Sequence, residues 1–329
     1  MLTTRLVGSL LGCMFINLNM TTCQSPGEAE KPSSSAAATK PKSVEITGVE
    51  TASFTPREKA QWSAHVTELL APCDSVPLTI YECVEQKKDC AACSPAADYL
   101  AHQVRLGLTK AQVESAYRSR FAPETVKEID LTGSPVKGAK TAPITVVEWA
   151  DFECPACRAA YPVVDEVVKA DSDVQFVFKN FPLSIHPTAE NAARAAAAAQ
   201  IQGKFWEMHH ELFSVAPPLD DARLKEIAKK IGLDVAQFEK DLKSEEVADA
   251  VARDRKQGEA VGLRGTPTIF INGRLFEFQA DLKTELREWF ALEKKIAGKT
   301  KASSPAQPEP ATPTKPGVEP RSTPAPQSP

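Results

Sequence analysis

Hydrophobic residues recur at helical spacing between about residues 53 and 121. Two capping boxes punctuate this region, one from Thr55 to Glu58 and one from Thr109 to Gln112. Three helices are predicted, from Thr55 to about Leu70, from about Ser94 to Leu106, and from Thr109 to about Arg120. We expect a small all-helical module within residues 44–130, whose core is thin at ~70 residues.

From about residue 143 the pattern alternates between strand and helix. Asn272-Gly273, the strongest short turn signal, joins two strands into a hairpin. The predicted elements are strands at Ile144–Trp149, Val174–Phe181, Thr268–Ile271 and Arg274–Phe278, and helices at Pro155–Ala170, Thr188–Val261 (broken near Pro217-Pro218 and Gly232) and Asp281–Ala297. This order predicts an α/β domain with a right-handed parallel crossover, followed by an antiparallel addition to the same sheet.

The two ends of the chain read differently. Arg5 and the apolar run from Leu6 to Ile16 are typical of an export signal within residues 1–23. Cys23 precedes a polar stretch and is a candidate for lipidation, as in bacterial lipoproteins, with Cys13 as the alternative and a simple secretory signal as the other interpretation. Residues 24–43 are predicted to be a disordered linker and residues 299–329 a disordered Pro-rich tail.

Charge and composition exclude some classes of protein. The 329 residues carry a formal net charge of −4 and no basic stripe, which argues against nucleic acid as a partner. No run approaches the ~18 apolar residues of a membrane-spanning helix. Of the eight cysteines, Cys13 and Cys23 lie in or near the signal. The even number that remains, in an exported chain, favours disulfides.

Cys154-Pro155-Ala156-Cys157 lies between a predicted strand and a predicted helix. At a helix N-terminus, free backbone N–H groups and the helix dipole stabilise the thiolate of the first cysteine, which is the attacking species in disulfide exchange. The second cysteine, one turn later, can resolve a mixed disulfide. We favour a redox pair over a structural disulfide or half of a zinc site, and expect no metal and no cofactor.

A second motif, Cys90-Ala91-Ala92-Cys93, also precedes a predicted helix. With Cys73 and Cys83 it is interpreted first as two structural disulfides, whose pairing the sequence leaves open. The alternatives are a second redox centre that exchanges electrons with Cys154 and Cys157, and a metal site.

Four segments together resemble the DsbA-like branch of the thioredoxin superfamily. They are VEWADFECPAC (147–157), FKNFPL (178–183), QGKFWEMHHELF (202–213) and GTPTIFING (265–273). The resemblance implies a thioredoxin fold with an inserted helical subdomain at about 187–262, within a domain spanning 140–298. The helical module is faintly similar to the CcmH-type haem-ligation thioreductases, which keeps a redox role for its cysteines open.

The resemblance also implies roles for individual residues. Pro267 matches a cis-proline that lies beside the active-site disulfide and exposes the backbone of Thr266 to a substrate strand. Pro155-Ala156 departs from the Pro-His of the best-known oxidases, which puts the oxidising strength in doubt.

Two charged residues on the predicted flanking strands complete the candidate site. Glu148 and Lys179 are candidates for a proton relay to Cys157, with solvated strand residues as the alternative. His186 is expected at a loop or helix start, and His209 is expected to pack.

The sequence therefore predicts a periplasmic or cell-surface thiol–disulfide oxidoreductase that oxidises protein dithiols through Cys154 and Cys157. Its expected partners are substrate proteins and a membrane quinone-linked reoxidase. Two alternatives remain: a reductase or isomerase that uses the same cysteines, and a non-catalytic adaptor or binding lipoprotein.

Overall fold

A mixed five-stranded sheet organises the second half of the chain in a computed structural model that describes residues 43–278 and 281–303. The strands are β1 (Val136–Lys137), β2 (Ile144–Ala150), β3 (Val174–Asn180), β4 (Thr268–Ile271) and β5 (Arg274–Phe276), in the order β1-β3-β2-β4-β5. Strands β2 and β3 are parallel, and β4 and β5 add in antiparallel orientation. This confirms the predicted parallel pairing and the antiparallel addition, whereas β1 is too short to leave a periodic pattern in the sequence.

Helices precede, interrupt and follow the sheet. They are α1 (Pro56–Glu68), α2 (Ile80–Glu85), α3 (Cys93–Arg105), α4 (Lys110–Phe121), α5 (Pro155–Lys169), α6 (Ala189–Ile201), α7 (Phe205–Ser214), α8 (Asp221–Lys230), α9 (Val235–Asp241), α10 (Glu245–Ala260) and α11 (Leu282–Ser303), with a 3₁₀ turn at Pro123–Thr125. The block α6–α10, inserted between β3 and β4, is the helical subdomain expected from the sequence. The fold is thus a thioredoxin-type α/β fold preceded by a helical, cysteine-containing segment.

Several elements differ from their predicted forms. Helix α2 went unpredicted because it has only six residues, although Thr79 and Glu82 form a capping box at its start. The inserted helical block is divided further than predicted. A helix ends near Gly203, which has a φ of 73°, and another helix begins after Ser244, the N-cap residue of α10. Helix α11 continues through Ser303, beyond the predicted end at Ala297.

Strand β3 is buried along its whole length, although its sequence alternates between polar and apolar residues. One face of β2 and β3 packs into the main core with α5 and α11, through residues such as Val146 and Phe178. The opposite face, with Trp149 and Val177, is covered by Val261, Leu263 and residues before β1. A central strand covered on both faces must bury its polar side chains, so each of them requires a partner.

The helical segment has a core of its own. Trp62 of α1 is fully buried and donates from Nε1 to the Ala97 carbonyl oxygen of α3 at 3.0 Å. Leu292 of α11 packs into this core, and Leu286 and Phe290 of the same helix pack into the main core. Helix α11 therefore contributes side chains to both cores, and a substitution in it can alter the packing of either core.

A buried ion pair and the hairpin join the two cores. The Arg120 guanidinium, 2% exposed, donates to the Glu293 carboxylate of α11. Asn272 of the hairpin turn, at a φ of 49°, donates from Nδ2 to the other Glu293 oxygen at 2.9 Å. At Gly273 a Cβ would lie 2.6 Å from the Lys127 carbonyl oxygen, so this turn position requires glycine.

Several sequence predictions lie outside the described residues. They include the export signal, the lipidation candidates Cys13 and Cys23, the linker up to residue 42, and the tail beyond Ser303. Among the residues that the structure describes, no helix is both long and apolar enough to cross a membrane.

We expect Glu293→Leu to lower the free energy of unfolding by about 3–5 kcal/mol, because it leaves the Arg120 guanidinium buried and unpaired. Adding Arg120→Met should recover most of this loss, since the buried charge is then gone. Urea unfolding at constant pH measures both variants. Lys295→Ala, which removes the exposed ion pair to Asp98, is the control and should cost less than about 1 kcal/mol. A double variant as unstable as Glu293→Leu would contradict this account.

Candidate active site

Cys154 and Cys157 lie at the first turn of α5, where β2 delivers the chain. Cys154 is the N-cap residue, with extended φ and ψ of −65° and 122°, and Pro155 occupies the first helical position. Pro155 has no N–H that would remain unpaired there, and its φ is already helical. The Cys154 residue is 7% exposed and Cys157 is fully buried, whereas Pro155 and Ala156 between them are exposed. Of the two cysteines, only Cys154 therefore keeps some exposed surface.

The loop before β4 lies against this turn. The Thr266–Pro267 peptide bond is cis, as the family resemblance implies. The Cys154 Sγ lies 3.5 Å from the Thr266 carbonyl oxygen, to which the thiol donates. Thr266 and Pro267 are half-buried. The structure thus brings together residues that are more than 100 positions apart in sequence, Cys154 and Thr266.

Cys157 has a more enclosed environment. Its sulfur accepts from the Asp151 backbone N–H at 3.5 Å. Burial raises the pKa of the Cys157 thiol well above its ordinary value, and the nearby Cys154 and Glu148 charges act in the same direction. The Asp151 N–H and the Thr266 hydroxyl offset only part of this effect. Cys157 is therefore protonated near neutral pH when the pair is reduced, and it needs a proton acceptor to react.

Of the two relay candidates, only Glu148 is on the side of Cys157. Glu148 aligns with Phe178 in the sheet register, on the face that packs against α5. It is 4% exposed, and burial raises the pKa of its carboxyl to about 7. An acid with that pKa exchanges its proton near neutrality, which a solvated strand glutamate does not do.

Lys179 lies on the opposite face of the sheet, aligned with Trp149. Its Nζ donates to the Asp254 carboxylate of α10 at 3.3 Å and to the Ser134 hydroxyl at 2.9 Å. The strand pattern could not separate the two candidates, because which residues share a face depends on the register of β2 and β3. Lys179 instead secures α10 to the sheet.

Two acidic residues before the motif hold the site, and the sequence analysis assigned them no role. Both are buried, although they flank Phe152 in a turn. Asp151 Oδ1 accepts from the Glu153 N–H at 2.8 Å, and Oδ2 accepts from the Leu183 N–H at 2.9 Å and contacts His186 Nδ1 at 2.7 Å. Asp151 thereby ties the β2–α5 turn to the loop after β3. His186, expected at a loop or helix start, is a partner of this carboxylate.

Glu153 binds the insertion to the same turn. Its carboxylate accepts from the Thr188 N–H at 3.1 Å, from the Thr188 hydroxyl, and from the Leu219 N–H at 2.9 Å. Leu219 follows the cis Pro217-Pro218 bond between α7 and α8. The sequence does contain a signal for this role, since Asp151 and Glu153 lie two positions apart at the end of a largely apolar strand. Carboxylates buried there require several hydrogen-bond donors.

Aromatic packing surrounds the other side of the turn. His209 of α7 contacts the rings of Phe152, Phe178 and Phe213. Burial lowers the pKa of His209 to about 3, so the imidazole is neutral near neutral pH. This is the packing role that the sequence suggests.

The other four described cysteines form two disulfides, Cys73–Cys90 and Cys83–Cys93, whereas Cys154 and Cys157 are free thiols. The pairing that the sequence leaves open is therefore crossed, with each half of the second CxxC motif bonded to a different upstream cysteine. Among the described residues, one group of three metal-ligating side chains is close enough to hold an ion, namely Cys83, Cys90 and Cys93. All three are bonded in these disulfides, which use their thiols.

A family profile described as thioredoxin matches residues 130–289, which include Cys154, Cys157 and Pro267. Among curated proteins, the Na⁺/H⁺ antiporter NhaA 1 of Mycolicibacterium gilvum is 40% identical over 153 residues, which are 45% of this chain and 25% of the relative. The NhaA 1 of Mycolicibacterium vanbaalenii is 43% identical over 142 residues, 42% of this chain and 23% of that protein. The chain thus spans about a quarter of the length of the curated relatives it matches.

Solved structures of similar proteins include a thioredoxin-like oxidoreductase from Silicibacter pomeroyi, with 28% identity and a TM-score of 0.45. It aligns with 53% of this chain and 95% of its own. BdbD from Bacillus subtilis, in its oxidised form, is 27% identical with a TM-score of 0.47 and covers 53% of this chain and 98% of its own.

We expect the buried Glu148 carboxyl to make stability depend on pH. Its folded pKa of about 7 exceeds the ordinary value of 4.5, so the folded state binds the proton more tightly than the unfolded state. The stabilisation is therefore full below about pH 4.5 and is lost as the pH rises through 7, a loss of about 3 kcal/mol.

Urea unfolding between pH 5 and pH 8 measures this loss, and Glu148→Gln should remove it, because the amide does not ionise. Glu226→Gln on the exposed surface is the control and should leave the wild-type profile unchanged. Parallel profiles for wild type and Glu148→Gln would show that the carboxyl does not titrate in this range.

Proposed function

We propose that the protein is an exported enzyme that forms disulfides in substrate proteins through Cys154 and Cys157, which lie within the residues 130–289 that match the thioredoxin profile. The observation that carries the proposal is the position of the Cys154 sulfur. Cys154 is the N-cap residue of α5 and is 7% exposed, and its sulfur lies 3.5 Å from the Thr266 carbonyl oxygen beside a cis-proline. A nucleophile beside an accessible backbone segment suits a protein substrate.

The reaction begins from the Cys154–Cys157 disulfide. A substrate thiolate attacks Cys154 Sγ, the bond to Cys157 breaks, and Cys157 leaves with the electron pair. Cys154 is the sulfur attacked because it is 7% exposed and Cys157 is covered completely. In this proposal the half-buried backbone of Thr266, beside the cis bond to Pro267, hydrogen-bonds the substrate strand in the mixed disulfide.

Release of the substrate completes the transfer of two electrons. A second substrate thiolate attacks the substrate sulfur of the mixed disulfide, which forms the substrate disulfide and frees Cys154 as a thiolate. The N-terminal backbone of α5 stabilises that anion. A membrane quinone-linked partner then takes the two electrons, as the family resemblance implies.

Glu148 is the proposed proton carrier for Cys157. The departing Cys157 sulfur lies in a buried site that raises its pKa, so it must gain a proton there. The Glu148 carboxyl lies on the face of the sheet that packs against α5, the helix that carries Cys157. Its pKa of about 7 lets it donate a proton to Cys157 and take one up again near neutral pH. The pH profile of unfolding proposed for Glu148→Gln checks the titration that this role requires.

Export rests on the N-terminal signal and on the two disulfides before the thioredoxin domain. Disulfides such as Cys73–Cys90 and Cys83–Cys93 persist in oxidising compartments. We therefore place the protein in the periplasm or at the cell surface, with a lipid anchor at Cys23 as the proposed attachment.

Cys157→Ala should accumulate mixed disulfides between Cys154 and substrate proteins, because the variant lacks the Cys157 thiol that would otherwise attack Cys154 Sγ and release the substrate. Non-reducing electrophoresis of cells that express the variant, followed by mass spectrometry of the linked proteins, measures this. Cys154→Ala/Cys157→Ala is the matched control and should trap none. If Cys157→Ala traps no protein and Cys154→Ser supports wild-type function, the domain is an adaptor and not an enzyme.

The direction of electron flow follows from the reduction potential of the Cys154–Cys157 pair. We expect a potential clearly above about −270 mV, the value of thioredoxin, because a pair that oxidises protein dithiols must accept their electrons. Equilibration in glutathione buffers, read by alkylation of both thiols, gives the value. A potential at or below that of thioredoxin would identify a reductase.

A further inference from the structure

The two disulfides of the helical segment lie against each other around the Cys90-Ala91-Ala92-Cys93 motif. Cys83 is on α2, Cys93 is the first residue of α3, and Cys90 lies in the loop between these helices. The Sγ atoms of Cys83, Cys90 and Cys93 all lie within 4.8 Å of one another, although they belong to two different bonds. Two independent structural disulfides would not need this proximity.

A cavity of about 270 Å³ opens onto these sulfurs. It is lined by these three cysteines and by charged residues of the connecting loop, Lys87, Lys88 and Asp89. The cavity thus provides a route by which another thiol can reach the cluster.

We propose that the four cysteines form a second thiol–disulfide centre, in which Cys73–Cys90 and Cys83–Cys93 rearrange to a Cys90–Cys93 disulfide when the centre takes up two electrons. The donor is a protein dithiol of the thioredoxin type. This function is separate from the Cys154–Cys157 pair and does not depend on it.

The dithiol reduces Cys73–Cys90, becomes a disulfide itself and leaves two thiols. The Cys90 thiolate then attacks Cys93 Sγ, the Cys83–Cys93 bond breaks, and Cys83 leaves as a thiolate that takes up the proton released by Cys90. The product holds one disulfide, Cys90–Cys93, and two thiols, Cys73 and Cys83. Since the attacking and attacked sulfurs start within 4.8 Å, this step needs little movement of the backbone.

The tryptic cleavage sites make the rearrangement directly visible. Lys87 and Lys88 separate peptide 60–87, with Cys73 and Cys83, from peptide 89–105, with Cys90 and Cys93. Both starting disulfides link the two peptides, whereas Cys90–Cys93 lies within one of them. Rearrangement therefore converts a linked pair of peptides into two separate ones.

Two single substitutions should give the same new bond, in a Cys154→Ala/Cys157→Ala background that removes the other pair. In Cys73→Ala the Cys90 thiol attacks Cys93 and frees Cys83; in Cys83→Ala the Cys93 thiol attacks Cys90 and frees Cys73. After acid quench, alkylation and trypsin, each should show Cys90–Cys93 in more than about one-tenth of molecules, which is a free-energy difference within about 1.4 kcal/mol. Cys93→Ala, which lacks the motif, should keep its peptides linked.

The wild-type protein, titrated with a thioredoxin-type dithiol, provides a measurement that needs no substitution within the cluster. We expect a two-electron form with Cys73 and Cys83 alkylated and Cys90–Cys93 intact. Peptides that stay linked in both variants, or a two-electron form that keeps Cys83–Cys93, would overturn the proposal and leave two structural disulfides. Uptake of one zinc ion by the reduced protein without any Cys90–Cys93 disulfide would instead assign the cluster to metal binding.

Discussion

The geometry of the thioredoxin domain depends on how the turn between β2 and α5 is held. Asp151 and Glu153, both buried, accept hydrogen bonds from the loop after β3, from the start of α6 and from the segment after the cis-proline pair. A buried carboxylate is tolerated only when hydrogen-bond donors surround it. The loops that supply these donors are therefore held in place against the turn between β2 and α5. The position of Cys154 at the mouth of α5 follows from this arrangement.

The two cysteines of the motif differ because the turn leaves Cys154 a small exposed surface and covers Cys157 completely. Three residues separate 7% exposure at Cys154 from complete burial at Cys157. The Cys154 sulfur contacts the Thr266 carbonyl oxygen. The Cys157 sulfur accepts a hydrogen bond from the Asp151 N–H, and the charge of Glu148 helps to raise its pKa. Within one helical turn, the two sulfurs therefore have different surroundings, which is the basis of the different roles proposed for them.

The helical segment is built into the same molecule through α11 and the hairpin. Arg120, Glu293 and Asn272 form one buried polar network between its core and the sheet. Such a network is stable only when each member is paired, so the relation of the two cores is fixed at this point. The disulfides stabilise the remainder of a segment whose own core is small.

Local signals in the sequence determined the elements of this protein. The capping boxes at Thr55 and Thr109, the Asn272-Gly273 turn and the motif at Cys154 act through contacts within a few residues, so they can be recognised without the fold. The short elements α2 and β1 were not predicted, because they contain too few residues to show a hydrophobic periodicity. The cis bond at Pro267 was available only through the family resemblance.

Only the tertiary structure decided which side chains meet. Glu148 and Lys179 looked equivalent along the chain, and the sheet register placed them on opposite faces. The partners of Asp151 and Glu153, and the crossed pairing of Cys73, Cys83, Cys90 and Cys93, join positions whose contacts no local pattern encodes. The physical reason is that burial and pairing depend on residues brought together from distant parts of the chain, and these set the charge state of a group more strongly than its own neighbours in sequence.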